Sequence, residues 1–94
     1  MFDFIKKMFG GSTVNYSELI ENGAVIVDVR TPQEYRSGNI RGSLNIPLDQ
    51  LKGNLKKIKK DKPVIVCCAS GMRSGAAKGV LQSNGFTQVY NAGS

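Results

Sequence analysis

The feature that most constrains the fold is an apolar run at residues 64–67, Val-Ile-Val-Cys, which leads directly into a short loop and then a helical pattern. A second run, residues 24–29, is almost as continuously apolar. Such runs are typical of strands that are covered on both faces, as in a parallel sheet. The sequence therefore predicts an α/β protein with buried strands.

Strand and helix patterns alternate along the rest of the chain. Strands are predicted at residues 24–29, 43–46, 64–67 and 88–90, and helices at residues 16–21, 31–37, 48–58 and 75–84. Asn15 and Thr31 are the predicted N-caps of the first two helices. Short βα units of this kind build a parallel sheet with helices on both faces, and ligands bind beyond the carboxyl ends of the strands. Cys68 is predicted to lie at such an end.

The length of 94 residues predicts one domain. We assign it to residues 12–94, after a short apolar segment at residues 1–11 that is predicted to form a short helix. This segment has neither the charge order nor the length of a signal peptide. No apolar run approaches the roughly 20 residues that cross a bilayer, so no membrane partner is expected.

The chain carries a net charge of +6. Much of it comes from six lysines: Lys52, Lys56, Lys57, Lys59, Lys60 and Lys62. The simplest interpretation is a solvated helix face and the turn after it, and the alternative is attraction of small anions or of an acidic partner. Nucleic-acid binding is disfavoured, because no aromatic residues are interleaved with the lysines and the chain has no Trp.

The two cysteines, Cys67 and Cys68, are adjacent. Neighbouring cysteines rarely form a disulfide with each other, so no disulfide framework is predicted and nothing indicates an oxidising compartment. We therefore expect a cytoplasmic protein. With no His in the chain, a structural zinc site is disfavoured, and no other metal or cofactor is implied.

The position of Cys68, between a buried strand and a helix start, favours a reactive thiol. Backbone N–H groups of such a loop converge on an anion, the helix N-terminus adds partial positive charge, and Arg73 adds a full charge. Together they are expected to lower the thiol pKa from about 8.5. Arg73 is predicted to hold an oxyanion of the substrate, and Ser74 to cap the helix. The predicted substrate-binding residues are Ala69, Ser70, Gly71, Met72, Arg73 and Ser74.

Cys67 supports a competing hypothesis. Five residues separate it from Arg73, which is the spacing of cysteine phosphatases. Cys67 could thus be the nucleophile of a phosphatase or arsenate-reductase-like enzyme, a resolving thiol, or a core residue. The core interpretation is favoured, because Cys67 continues the apolar strand and no His precedes it.

Asp28 and Arg30, at the end of another predicted strand, are assigned supporting roles. Asp28 is expected to accept hydrogen bonds from loop backbone, and Arg30 to pair with Glu34 and fix the turn. Both roles are structural and not catalytic.

Four segments in order resemble the single-domain rhodanese-like sulfurtransferases, the thiosulfate sulfurtransferase family. They are residues 27–30, 31–47, 68–74 and 85–93. The resemblance implies a parallel five-stranded sheet between helices, a six-residue active loop opened by Cys68, and a persulfide carried on that sulfur. It also implies an enzyme that moves sulfane sulfur from thiosulfate or a persulfide donor to cyanide or a thiol.

The partners that this resemblance implies are a small anionic sulfur donor and a thiol or cyanide acceptor. Small thiols, thioredoxin-like proteins and sulfur-assembly systems all remain open as acceptors. A non-catalytic rhodanese-like binding module is a third hypothesis, and the intact Cys68 and Arg73 argue against it.

The chain departs from the family pattern at two places. Asn39 stands where the family commonly has His, and we expect it to make a local structural hydrogen bond. The sequence stops at Ser94, whereas relatives usually continue with a short helical tail, so we expect one edge of the core to be less covered.

Overall fold

The computed structural model describes residues 15–69 and 71–93. The predicted helix of segment 1–11 and the predicted site residue Ser70 lie outside the described residues. Within them, the helices are α1 (Tyr16–Glu21), α2 (Pro32–Arg36), α3 (Leu48–Leu51) and α4 (Met72–Ser83), and a 3-10 segment spans Lys52–Lys57. The strands are β1 (Val25–Asp28), β2 (Leu44–Asn45), β3 (Val64–Cys67) and β4 (Val89–Gly93).

The strands form one sheet in the order β2-β1-β3-β4, and all neighbouring pairs are parallel. The predicted α/β fold with a parallel sheet is confirmed. The family resemblance implied five strands, whereas residues 15–69 and 71–93 contribute four. The carboxyl ends of β1 and β3 lie side by side, with Asp28 opposite Cys67. This edge of the sheet carries the candidate site.

The core divides between the two faces of the sheet. On one face, α3 and α4 pack against β1 and β3 through Leu51, Leu81, Val27 and Val66, all fully buried. On the other face, Tyr16 of α1 packs against a smaller cluster that contains Ile26, Ile65, Cys67 and Ala92. Successive side chains of a strand point to opposite faces. Cys67 accordingly belongs to the α1 cluster and Cys68 to the α4 cluster.

The predicted continuous helix at residues 48–58 is wrong in its second half. The α-helix ends at Leu51, and a 3-10 segment with non-helical angles at Asn54 (φ −125°, ψ 21°) follows. Gly53 has low helix propensity. The Asn54 side chain donates to the carbonyl of Gln50 at 2.7 Å, a local bond that competes with regular helix. Leu51 and Ile58 are nevertheless buried.

Two helix starts determine the geometry of the site. Thr31 caps α2 as predicted, and it forms a full capping box with Glu34. Helix α4 begins at Met72, three residues earlier than predicted, so Arg73 and Ser74 belong to its first turn. The prediction that Ser74 caps this helix is therefore wrong, because the N-cap residue is Gly71. Among the described residues, no helix is both long and apolar enough to span a membrane.

Candidate active site

Cys68 follows β3 directly and lies at the carboxyl end of the sheet, as predicted. Its amide donates to the carbonyl of Gly93 at 2.8 Å, which fixes its backbone to the end of β4. The residue is 5 % exposed. A nucleophile here is therefore held rigidly and is largely shielded from water.

Among the residues that the structure describes, the backbone amides of Gly71 and Ser74 donate hydrogen bonds to the sulfur of Cys68. The Gly71 amide lies 2.8 Å from Sγ and the Ser74 amide 3.2 Å from it. Gly71 is the N-cap residue of α4 and has no side chain to cap the helix. The sulfur thus occupies the place of the missing cap, because it binds the N–H of the N-cap residue and that of the third helical residue.

Gly71 is needed for this turn. Its φ of +85° lies in the left-handed region, and an added Cβ would stand 3.8 Å from the Cα of Gly93. Any other residue would be strained at that φ. The amide of Gly71 reaches the sulfur because the backbone turns in this way.

Ser74 is fully buried, and its hydroxyl connects three parts of the site. It lies 3.0 Å from the Gly71 carbonyl, 2.5 Å from Oδ1 of Asn91, and 3.4 Å from the Cys68 sulfur. Asn91 Oδ1 also accepts from the amide of Gly93 at 2.8 Å. Asn91 was not predicted as a site residue, and its only signal was its place in the last family-like segment.

Arg73 does not point freely at the site as a substrate ligand. Its Nη1 lies 2.8 Å from Oε1 of Glu34 and its Nη2 lies 3.0 Å from Oε2. Both nitrogens that would bind an oxyanion are therefore engaged by one carboxylate. The hydrogen bond from Arg73 is the main reason that the pKa of Glu34 falls from 4.5 to about 2, and the same bond raises the pKa of Arg73.

Asp28 and Arg30 pair with each other. Arg30 Nη2 lies 2.8 Å from Asp28 Oδ2, and the Arg30 amide donates to Asp28 Oδ1 at 3.0 Å. Asp28 therefore does bind loop backbone as expected. The prediction that Arg30 pairs with Glu34 is wrong. Arg30 forms its salt bridge with Asp28, and Glu34 forms its salt bridge with Arg73. The Arg30 guanidinium also donates to the Gly38 carbonyl at 2.6 Å, which ties the end of α2 to β1.

Cys67 is a core residue in this structure. It is 5 % exposed and packs in the cluster on the α1 face of the sheet, away from the cluster that contains Cys68. Desolvation by burial, followed by the charge of Asp28, raises the pKa of Cys67 to about 12. The geometry therefore favours the core interpretation over a phosphatase nucleophile.

Two further residues that were predicted to bind substrate lie on the surface. Ala69 is exposed, and Met72 is 81 % exposed on the first turn of α4.

Asn39 donates from its side-chain amide to the Tyr35 carbonyl at 2.9 Å, which is the local structural bond that we expected.

This arrangement defines a class of protein: a parallel α/β domain in which a cysteine opens the loop between a central strand and a helix start. The rhodanese-like domain family matches residues 12–92, and the chain belongs to this family.

Similar proteins agree with this assignment. Uncharacterized protein YqhL of Bacillus subtilis is 47 % identical over 68 residues, which cover 72 % of this chain and 54 % of YqhL. Thiosulfate sulfurtransferase PspE of Escherichia coli is 41 % identical over 69 residues, covering 71 % of this chain and 66 % of PspE. The chain thus spans about half to two thirds of these relatives. A structure of an E. coli rhodanese with anions has a TM-score of 0.71 and 36 % identity, covering 76 % of this chain and 87 % of that chain.

Proposed function

We propose that this protein is a sulfurtransferase that carries sulfane sulfur as a persulfide on Cys68. The observation that supports this most directly is the pair of amide donors, from Gly71 and Ser74, on the Cys68 sulfur. Two N–H groups at a helix start favour an anionic sulfur. Relatives named thiosulfate sulfurtransferase provide independent support.

The reaction proceeds by two displacements at sulfur. The Cys68 thiolate attacks the outer sulfur of thiosulfate; an S–S bond forms, the S–S bond of thiosulfate breaks, and sulfite leaves with the electron pair. Cyanide or an acceptor thiolate then attacks the terminal sulfur of the persulfide, and the Cys68 thiolate is regenerated. Neither step activates a carbonyl, so the chemistry needs no strong base, and the cycle returns the enzyme to its starting oxidation state without a cofactor.

The backbone donors stabilise negative charge both in the resting enzyme and in the persulfide intermediate. The resting thiolate and the persulfide each place negative charge near the amides of Gly71 and Ser74. Loss of one well-placed donor costs about 2.7–4 kcal/mol in comparable anion sites. The buried hydroxyl of Ser74 gives its proton to Asn91 or Gly71 and accepts from the Cys68 thiol at 3.4 Å, so the charge on the anionic sulfur is stabilised by the backbone amides and not by this hydroxyl.

The experiment that tests this function is the formation of thiocyanate from thiosulfate and cyanide. Wild-type protein and Cys67→Ser should turn over, and Cys68→Ser should not. Aryl phosphate is supplied to the same three proteins in parallel. Phosphate release that is lost in Cys67→Ser would replace this proposal with the phosphatase hypothesis, and no turnover of either substrate would favour a binding module.

A further inference from the structure

We propose that Glu34 is a positioning residue for the Cys68 loop, and that it acts by holding Arg73 as a structural clamp instead of leaving it free as a ligand for the substrate. Because this role rests on the proposed function, the test below includes a measurement that does not depend on sulfur transfer.

The first support is the geometry of the Arg73 contact. Two hydrogen bonds of 2.8 and 3.0 Å, from two different nitrogens to two different oxygens, join its guanidinium to the Glu34 carboxylate. A bidentate pair of this kind fixes orientation as well as distance. Rearranging it to receive a substrate oxyanion would break both bonds.

The second support is that the carboxylate is itself fixed. Oε1 of Glu34 accepts from the Thr31 amide at 3.0 Å and lies 3.1 Å from the Thr31 hydroxyl, as part of the capping box of α2. An isolated surface ion pair contributes little, because two flexible side chains must be ordered to form it. Here the capping box has already ordered one of the two.

The third support is that α2 is anchored to the rest of the fold. At its end, Gly38 accepts from Arg30 at 2.6 Å, and Arg30 is held by Asp28 of β1. The hydroxyl of Tyr35 donates to the carbonyl of Ser43 at 2.7 Å. Because α2 is hydrogen-bonded to the strands in this way, the Arg73 side chain that binds Glu34 of α2 is also held in place relative to the sheet.

The fourth support is the position of Arg73 in the chain. It lies directly before Ser74, whose amide donates to the Cys68 sulfur, and shortly after Gly71, whose amide also donates. Helix α4 starts at a glycine with no side-chain cap. The Glu34–Arg73 pair restrains this first turn from outside, and thereby sets the direction of the two amides.

A positioning role and a substrate-binding role for Arg73 predict opposite effects of removing Glu34. If Arg73 bound the donor's oxyanion, Glu34 would compete with the substrate, and its removal would lower KM for thiosulfate. It would also leave an unneutralised cation near the sulfur and favour the thiolate. If the pair positions the loop, its loss disorders the amides, disfavours the thiolate and lowers kcat.

The test uses Glu34→Gln and Arg73→Lys. Gln still completes a capping box with Thr31, so Glu34→Gln breaks the ion pair and preserves the cap of α2. Lys keeps the charge at position 73 but lacks the planar fork. Glu21→Gln removes the same charge from an exposed position on α1 and serves as the matched control. Denaturant unfolding of each variant confirms that it is folded.

Two measurements are made on each protein. The first is the rate of alkylation of Cys68 by iodoacetamide against pH, with the modified peptide identified by mass spectrometry. We expect the midpoint of this profile to move to higher pH in Glu34→Gln and in Arg73→Lys, and not in Glu21→Gln.

The second measurement is steady-state sulfur transfer from thiosulfate to cyanide. We expect kcat to fall about 10- to 100-fold, the scale that follows from misplacement by about 1 Å. The kcat of the double variant should be no lower than that of either single variant, because the two residues act as a unit.

A midpoint that stays in place or moves downward in Glu34→Gln, or a lower KM for thiosulfate, would overturn the positioning role. Wild-type protein that fails to transfer sulfur would overturn the proposed function alone. In that case the alkylation profiles still decide whether Glu34 positions the loop.

Discussion

The amide nitrogen of Ser74 lies 3.2 Å from the sulfur of Cys68, six residues earlier in the chain. Together with the Gly71 amide, this contact makes the sulfur the cap of α4. The same two donors that favour an anionic sulfur thus also satisfy the helix start. Reactivity and local stability are coupled at this residue.

Replacing Cys68 should therefore cost stability. We expect Cys68→Ala to lower the free energy of unfolding by about 0.5–2 kcal/mol, the usual cost of a lost N-cap acceptor. Cys68→Ser keeps an acceptor, although a shorter one, and should cost less. Urea unfolding at constant m-value measures both. A Cys68→Ala variant as stable as wild type would show that the sulfur does not cap α4.

Asn91 should matter for both folding and activity. Its side-chain oxygen accepts from the buried Ser74 hydroxyl and from the Gly93 amide. Asn91→Ala leaves these donors without that acceptor, and we expect a loss of about 1–3 kcal/mol in the free energy of unfolding. Sulfur transfer should fall as well, because Ser74 loses its orientation.

Asn39→Ala is the matched control for Asn91→Ala. It removes an exposed amide that makes one hydrogen bond to backbone. Its effect on stability and turnover should be clearly smaller. Equal effects of the two variants would assign Asn91 no special role.

The Glu34–Arg73 pair should make the free energy of unfolding depend on pH in the acidic range. The pKa of Glu34 is lowered from 4.5 to about 2, chiefly by the hydrogen bond from Arg73. A depressed carboxyl pKa means that the stabilising contribution is present above pH 4.5 and is lost as pH falls towards about 2.

The contribution of the ion pair is measured by denaturant unfolding of wild type and Glu34→Gln at a series of pH values from above 4.5 down towards about 2. The difference in free energy of unfolding should be constant above pH 4.5, shrink below it, and be smaller in high salt. A difference that does not change with pH would contradict the pair's contribution.

Cys67 should be inert at neutral pH. Burial raises the pKa of its thiol to about 12, and its side chain packs against the α1 face. Iodoacetamide added to folded protein at pH 8 should modify Cys68 and leave Cys67 unmodified, and denaturant should expose both. Modification of Cys67 in the folded state at a similar rate would reopen the phosphatase hypothesis.

The strands and the position of Cys68 could be predicted because they depend on local patterns. Apolar runs predicted β1 and β3 closely, and the strand-to-helix transition placed Cys68 at the carboxyl edge. The helix at residues 48–58 was overextended, because hydrophobic periodicity continued through Gly53 and Asn54 although the backbone did not. Periodicity reports which side chains are buried, and not whether every turn is α-helical.

The ion pairs of the site could not be predicted, because they depend on tertiary geometry. Glu34 is four positions from Arg30, which suggested a local pair, but in the fold it meets Arg73. Asn91 comes to the site only because β4 lies beside β3. No local pattern around Asn91 indicates that neighbour.

The most direct test of the central claim is the intact mass of the protein after incubation with thiosulfate and removal of excess reagent. We predict the addition of one sulfur atom to wild type and to Cys67→Ser, reversed by cyanide, with no addition to Cys68→Ser. No added sulfur on wild type, or addition that persists in Cys68→Ser, would contradict a persulfide on Cys68.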